Sequence, residues 1–342
     1  MTLSWWASQV LHQNDFDYLK FIQALKFVMA KSGRNNIMKE FMLRYIPFPV
    51  LHWIRTYLYH PMQKNTQTKI SFIEHFIKTT KNNLNRNRKQ VLFYPEPPSG
   101  SFAIYKILLL LGYRITNNPK QQFDLGIKWK NTTQSPVDEV LYELSANHYI
   151  LNINCNDISK SNVDQIFQSV FGYGVAIDPL SYIGECVVKS ELNAQHDGKV
   201  VSCPITAVEP GVVYNKIVDN QVENDMVLDL RFPIFKNVIP HVYLKYRPLG
   251  RRFANINMKV DLVQCVDDVF SANEVSLLMK FCEKIGLDYG ELDVLRDKKD
   301  GRIYVVDVNN TPYGPPKKLA PNEGLIALQK IAQTFEEVFF EN

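Results

Sequence analysis

Two oxygen-bearing side chains near the end of the sequence have the type and spacing of metal ligands. Asp307 and Asn309 lie two residues apart in the segment Ile303 to Asn309, where apolar and polar residues alternate as in a β-strand. This alternation places Val305, Asp307 and Asn309 on one strand face. Carboxylate and amide oxygens suit Mg²⁺, which leaves its remaining positions to water and phosphate. The pair therefore predicts a magnesium site, with Mn²⁺ as an alternative occupant.

A third oxygen donor reaches the same place if the chain forms a hairpin. Asp293 closes the preceding apolar segment, and residues 297–301, Asp-Lys-Lys-Asp-Gly, are a turn signal that would return the second strand beside the first. Asp293, Asp307 and Asn309 would then converge. An Asp-x-Asn pattern also occurs on solvated edge strands and at turn entries, so these residues alone leave both interpretations open.

Two lysines lie where they could contact phosphate groups. Lys160 stands at the entrance of a helix predicted over residues 161–171, with Ser161 as its N-cap. Lys189 ends a short apolar strand and is followed by a polar hairpin over residues 193–198. Each lysine alone is weak evidence, because a solvated lysine is common at both places.

A cluster of cations precedes the predicted metal strand. Lys245, Arg247, Arg251 and Arg252 fall within eight residues. A solvated surface is one interpretation, and phosphate or carboxylate binding by the planar guanidinium is the other. Arg247 and Arg252 are the preferred candidates for binding, with Asn255 as a weaker one.

Length and composition indicate a large globular protein. The chain has 342 residues, of which 46% are hydrophobic and 12% aromatic, enough for two or three domains with a sizeable core. Its five cysteines form no Cys-x-x-Cys pair, which argues against a zinc cluster or a disulfide framework. We expect a soluble, cytoplasmic protein, because no apolar run is long enough to span a bilayer.

Charge and secondary-structure signals divide the chain into three parts. Residues 1–88 are predicted to be all-helical and basic; up to Gln90 there are 14 Lys and Arg against 4 Asp and Glu, while the rest has 25 against 31. Solvated helix faces explain this charge better than nucleic acid or membrane binding. Residues 89–153 show alternating strand and helix signals of a small α/β domain, and residues 154–342 form the third part.

The sequence from about 154 to 316 resembles the ATP-grasp superfamily, in particular its carboxylate-amine ligases. The resemblance is carried by Asp293 followed by Asp307 and Asn309, which in that family hold the magnesium ions that bridge the ATP phosphates. It implies an ATP-grasp fold, with two α+β subdomains that clasp ATP, after a small α/β domain and the helical N-terminal region.

The resemblance also implies roles for other residues. Lys160 and Lys189 would reach the ATP phosphates, and the hairpin with His196 and Gly198 would be the flexible loop that covers them. His196 is not assigned as an acid or base, since orienting the turn and contacting phosphate are alternative roles for it. The remaining implied assignments are the adenine-binding hinge at Asn215, Lys216 and Ile217, where the polar pair departs from the commoner Gln-Glu; Arg231 in nucleotide binding; and Arg247, Arg252 and Asn309 at the γ-phosphate and the acceptor carboxylate.

The implied reaction is ATP-dependent ligation. An acceptor carboxylate attacks the γ-phosphoryl group of MgATP, and an amine or similar nucleophile captures the resulting acyl phosphate. A kinase on the same scaffold and a non-catalytic nucleotide-binding protein are the alternatives. The expected partner is a small molecule or peptide with a carboxylate, without nucleic acid, and the oligomeric state is left open, a homodimer included.

Overall fold

Residues 89–254 and 256–341 are described by a computed structural model and lie in one unit of the chain, Asn65–Asn342. The expectations for the helical region 1–88 and for Asn255 fall outside the described residues. No helix in the described part of the chain has the length and apolar character needed to cross a membrane.

A four-stranded parallel sheet opens the described chain. In its central strand, the consecutive residues Val91, Leu92 and Phe93 are fully buried, as expected for a parallel strand covered on both faces. The strand order is β2-β1-β3-β4. The elements are β1 (Gln90–Pro95), α1 (Ala103–Leu111), β2 (Arg114–Thr116), β3 (Leu125–Trp129), α2 (Glu139–Ser145) and β4 (Ile150–Leu151).

A helix and a three-stranded antiparallel sheet follow. The predicted N-cap Ser161 is wrong by two residues, because Ser159 is the N-cap and Lys160 is the first helical residue. The carboxylate of Glu191 explains the difference, since it accepts hydrogen bonds from both the N–H and the hydroxyl of Ser161. The elements are α3 (Lys160–Phe171), β5 (Gly184–Ser190), β6 (Lys199–Cys203) and β7 (Val212–Lys216), in the order β6-β5-β7.

A second antiparallel sheet, of six strands, carries most of the candidate residues. Its order is β11-β10-β9-β12-β13, with β8 paired to β9. One face packs on α3 and α4 through buried side chains such as Phe232, Leu292, Phe167 and Phe281. The elements are β8 (Gln221–Val222), β9 (Met226–Phe235), β10 (Val242–Pro248), β11 (Lys259–Val263), α4 (Ala272–Ile285), β12 (Tyr289–Arg296), β13 (Ile303–Asn309) and α5 (Pro321–Phe340), with short 3₁₀ turns at Leu249–Arg251 and Val266–Asp268.

The other face of the six-stranded sheet meets the parallel sheet at one end. Phe235 of β9 and Tyr289 of β12 belong to the same buried cluster as Trp129 of β3 and Phe335 of α5. The described strands and helices therefore confirm the expected mixed α/β class, with a small parallel-sheet part before an α+β part. The boundaries at 88 and 153 remain proposals.

Candidate functional site

Alternation along four strands concentrates charge on one face of the six-stranded sheet. In β9, Asp229 and Arg231 alternate with Leu230 and Phe232, which belong to the apolar core. The same alternation operates in β10, β12 and β13. We call this surface the charged face; its members are Asp229, Arg231, Lys245, Arg247, Glu291, Asp293, Asp307 and Asn309.

The hairpin of β12 and β13 brings the three predicted metal ligands together. Asp293 lies directly opposite Asp307, and Asn309 lies opposite Glu291. Directly opposed side chains in an antiparallel pair are close enough to share a ligand. The hairpin turn at residues 297–301 is also as predicted, with Gly301 at a positive φ of 72°.

A β-bulge corrects one part of the predicted alternation. The register shifts after the Asp293–Asp307 pair, so Val294 pairs with Val305 and Val306 is the extra residue. Val305 consequently belongs to the apolar core and does not share a face with Asp307, contrary to the expectation. The bulge lies beside the candidate metal ligands.

Arg231 bridges two carboxylates of neighbouring strands. Its Nε donates to Glu291 Oε2 at 2.5 Å, and its Nη1 donates to Asp293 Oδ2 at 3.2 Å. Burial alone would lower the pKa of Arg231, but Asp293 and Glu291 outweigh it and raise the pKa. Burial raises the pKa of Glu291 despite this partner. Arg231 therefore acts as a fixed positive centre that aligns the two carboxylates.

The second oxygen of Asp293 is buried and incompletely satisfied. Lys245 Nζ lies 3.6 Å from Oδ1, an ion-pair distance, and Oδ1 has no hydrogen-bond partner among the described residues. Burial would raise the pKa of Asp293, but Arg231, Lys245 and Arg247 outweigh it and hold the pKa below its ordinary value. An ionised carboxylate oxygen without a donor is a suitable ligand for a cation.

The donor set fits a magnesium ion that also binds phosphate. Asp293 and Asp307 supply carboxylate oxygens on adjacent strands, and Asn309 supplies an amide oxygen, which here accepts the Thr311 N–H at 3.0 Å. Within the described residues, no group of three or more His, Cys, Asp or Glu side chains is arranged to hold a metal. The predicted set contains only two carboxylates, so this ion would need further oxygens from water or phosphate.

Three lysines contact β13 from the small sheet and α3. Lys160 Nζ lies 3.4 Å from Asp307 Oδ1, and Lys189 Nζ donates to the carbonyl of the bulged residue Val306 at 3.3 Å. Lys216 Nζ donates to the Tyr304 hydroxyl at 2.8 Å. The predicted phosphate-binding lysines Lys160 and Lys189 are therefore adjacent to the predicted metal ligands.

Burial shifts the pKa values of Lys189 and Asp307 in opposite directions. It lowers the pKa of Lys189 to about 8, and repulsion from Lys160 adds to the effect. It raises the pKa of Asp307, against the attraction of Lys160. Both shifts disfavour the charged form, and an added cation beside Asp307 or anion beside Lys189 would reverse them.

Arg247 and Arg252 lie at the far side of the charged face. Arg247 Nη2 pairs with Asp229 Oδ2 at 2.5 Å, and Arg247 Nη1 donates to the Arg252 carbonyl at 3.0 Å. Arg252 Nη2 donates to the Val218 carbonyl and to Asn220 Oδ1. Arg252 is thus engaged by the segment after β7, and no described contact joins it to Asp293 or Asp307.

Several main-chain groups of the predicted adenine hinge already form hydrogen bonds within the protein. The Lys216 N–H donates to the Val175 carbonyl at 2.8 Å, and the Val218 carbonyl accepts from Arg252 and from the Asn220 N–H. Asn215 is paired with β5. The Ile217 main chain enters none of the hydrogen bonds found in the described chain.

Among the described residues, no contact joins His196 or Gly198 of the loop between β5 and β6 to the carboxylates of the charged face. His196 is exposed, with a positive φ of 52°. Gly198 lies under the Phe253 ring, where an added Cβ would come within 2.7 Å of the ring. Asn193 of the same loop does reach the site, since its Nδ2 donates to the Val308 carbonyl and its Oδ1 accepts from Lys160.

Sequence reasoning missed three members of the charged face. Glu291 and Asp229 were not candidates, and Lys245 was noted without being preferred to the arginines. A signal was present: Glu291 is two residues from Asp293, and Asp229 is two residues from Arg231, so strand alternation puts each pair on one face.

Comparisons with known proteins give structural matches only. No protein-family model matches the chain, and no curated protein matches it. Among solved structures it is similar to the ATP-grasp ligase PsnB complexed with a minimal precursor, at 12% identity over 73% of this chain and 100% of that chain, with a TM-score of 0.44. It is also similar to D-alanine–D-alanine ligase from Bacillus anthracis, at 14% identity, 74% and 98% coverage and a TM-score of 0.45.

A third similar structure is the VanG D-Ala:D-Ser ligase from Enterococcus faecalis, at 9% identity over 74% of this chain and 100% of that chain, with a TM-score of 0.47. These low identities and TM-scores assign no role to any residue. The chain is similar to ATP-grasp ligases in its fold.

Proposed function

We propose that the protein is an ATP- and Mg²⁺-dependent ligase that activates an acceptor carboxylate as an acyl phosphate. The observation that carries the proposal is the opposed pair Asp293 and Asp307, with Asp293 Oδ1 buried and without a hydrogen-bond donor. Around this pair, Arg231, Lys245 and Lys160 supply positive charge. A polyanion with its divalent cation matches this alternation of charges.

The chain's own residues have separate tasks in this proposal. Asp293, Asp307 and Asn309 would hold Mg²⁺, which when bound offsets charge on the phosphates. Lys160 and Lys189 contact the phosphate oxygens and keep them beside Asp307. Arg231 keeps Glu291 and Asp293 in position, so that the ligands need not reorganise during phosphoryl transfer.

The pairing of the carboxylates favours a carboxylate acceptor over a hydroxyl acceptor. A hydroxyl needs a general base in the site, whereas a carboxylate is already nucleophilic. Each carboxylate on the charged face is held by a cation in the described chain; the pairs are Asp229 with Arg247, Glu291 with Arg231, Asp293 with Arg231 and Lys245, and Asp307 with Lys160. This supports a ligase more than a kinase.

Hydroxylamine trapping tests the proposal. The protein is incubated with MgATP, hydroxylamine and pooled amino acids, small peptides or sugar acids, and both ADP and acyl hydroxamate are measured. We expect equal amounts of the two, because hydroxylamine captures an acyl phosphate. Asp307→Ala is the blank, and Asp268→Ala, an exposed aspartate on a 3₁₀ turn, is the matched control.

Two results would contradict the ligase assignment, and a third would contradict the metal assignment. ADP with a stable phosphoester would identify a kinase, and nucleotide binding without ADP across the whole panel would favour a non-catalytic protein. Equal ADP formation by Asp307→Ala and the unmodified protein would remove the metal assignment.

A further inference from the structure

The loop that follows β13 is fastened to the start of α1. The Ala103 N–H donates to the Pro312 carbonyl at 2.9 Å, and the Tyr313 ring stacks on Phe102 with 4.4 Å between ring centroids. Lys106 Nζ donates to the Gly314 carbonyl. These three contacts fix residues 312–314, which follow shortly after the strand that carries Asp307 and Asn309.

Lys106 has no carboxylate partner in the described chain. Its contacts are the carbonyl of Gly314 and, at 3.5 Å, the carbonyl of Ser101. An ammonium group has three donors, so at least one remains for another acceptor. Neutral carbonyls leave the positive charge uncompensated, although the side chain is half-buried.

A second cation without an acidic partner among the described residues, Lys317, lies on the loop that follows β13. Lys317 is three residues beyond Gly314, is exposed, and forms no ion pair with a described residue. Burial lowers the pKa of Lys106, and the charge of Lys317 lowers it further, so the two ammonium groups repel each other. An anion between them would relieve this repulsion. Lys318 follows and adds to the positive charge.

Contacts connect this cation pair to the charged face. A Cβ added at Gly314 would lie 3.6 Å from Glu291 Oε1 and 3.7 Å from the Ala103 side chain. Glu291 is held by Arg231, which also bonds Asp293. Gly314 and Glu291 therefore lie between Lys106 and the candidate phosphate site, and Lys106 is on the side of the parallel sheet.

We propose that Lys106 and Lys317 bind a carboxylate of an organic substrate, separate from the carboxylate that is phosphorylated. That these two lysines serve a substrate rests on the proposed function, while the anion site itself does not. The group belongs either to a dicarboxylate acceptor or to an amino acid that supplies the amine. Both sources offer the same chemistry, a fixed carboxylate beside two ammonium groups.

Calorimetric titration with two matched pairs of probes tests the inference. The first pair is glutarate and monomethyl glutarate; the second is alanine and alaninamide. Each pair differs only in whether one carboxylate is free or masked. We expect about tenfold tighter binding of the free carboxylate in one of the pairs, as one charge-assisted contact gives. The pair that shows the preference identifies the acceptor or the amine as the source.

Variants localise the effect. Lys106→Met retains the apolar stem and should abolish the preference, and Lys317→Met, at an exposed position, should reduce it even if Lys106→Met fails to fold. Lys120→Met, at an exposed lysine between β2 and β3, should leave it unchanged. The inference would be overturned if neither pair of probes showed a preference for the free carboxylate. It would also be overturned if Lys106→Met and Lys317→Met both kept the preference of the unmodified protein.

The test separates the two proposals. A carboxylate preference that depends on Lys106, without hydroxamate or ADP formation, would overturn the ligase and keep the anion site. Hydroxamate formation without such a preference would keep the ligase and overturn the anion site.

Discussion

The two faces of the six-stranded sheet are built from the same strands by opposite rules. On the apolar face, Phe232 and Leu292 are fully buried in a continuous core with α3 and α4. On the charged face, the adjacent residues Arg231 and Asp293 form ion pairs. Neighbouring residues on one strand therefore differ in the free energy of leaving water, which is favourable for the apolar side chains and unfavourable for the charged ones.

The pKa shifts show what the charged face costs. Burial raises the pKa values of Asp229, Glu291 and Asp307, so their ionised forms are less stable here than in water. Asp293 alone among these four carboxyl groups has a lowered pKa, because three cations surround it. The apolar face therefore stabilises the fold, whereas the charged face contributes little to stability and is the proposed ligand-binding surface. Substitutions on the two faces should separate stability from activity.

The largest expected effect is on stability, from Phe232→Ala. This change leaves a cavity in the apolar core and should lower the free energy of unfolding by about 3 to 5 kcal/mol. Urea denaturation followed by circular dichroism measures it, with Phe232→Leu as a milder control. Nucleotide affinity of the folded variant should stay within about twofold of the unmodified protein. An unchanged unfolding midpoint would show that this face is not the stabilising one.

The next effect is on activity, from Asp307→Ala. Loss of this carboxylate should lower kcat for ADP formation by about 100- to 1000-fold, as removal of one charge-stabilising group typically does. Stability should be unchanged or higher: a carboxyl group with a raised pKa in the folded state stabilises only at low pH, and that contribution is lost as the pH rises. Thermal melting at pH 7 and a steady-state assay together measure both. A large drop in the melting temperature would contradict the assigned roles of the two faces.

Strand alternation made much of this arrangement readable from the sequence. The hairpin, the opposed Asp293 and Asp307, and the strand position of Arg231 all follow from local pattern and turn signals. The same local pattern places Glu291, two residues from Asp293, on this face. These features depend on neighbours in the chain, which is why they are accessible without a structure.

Other features depend on residues far apart in the chain and were not predictable. The bulge at Val306 inserts one residue into an uninterrupted alternation and exposes the carbonyl that Lys189 contacts. The helix entry near Ser161 was misplaced because Glu191, whose carboxylate accepts the Ser161 N–H and hydroxyl, comes from a distant strand end. Lys160 and Asp307 are separated by 147 positions, and no local signal pairs them.

The third effect concerns pH and a buried histidine that directly precedes β10. His241 is fully buried, and neither ring nitrogen has a hydrogen-bond partner among the described residues. Burial, with repulsion from Lys330, lowers its pKa to about 3. The folded state therefore keeps it neutral while the unfolded chain binds a proton below about pH 6.5, so stability is lost as the pH falls. Between pH 6.5 and 5 the loss should be about 2 kcal/mol.

Denaturation midpoints at the two pH values check this expectation. His241→Phe keeps a ring of similar shape against Tyr243 and removes the titrating group. Its unfolding free energy should fall less between pH 6.5 and 5 than that of the unmodified protein. An identical fall in both would mean that His241 does not cause the acid sensitivity.

The smallest effect tests whether Lys189 contacts phosphate. Its pKa of about 8 in the free protein means that it loses its charge between pH 7 and 9. If the ammonium binds the nucleotide, affinity for a non-hydrolysable ATP analogue should fall by about tenfold over this range, since only the protonated fraction binds well. Lys189→Arg keeps its charge throughout and should show a flat profile. The same slope in both proteins would mean that the titrating group lies elsewhere and that Lys189 does not contact the nucleotide.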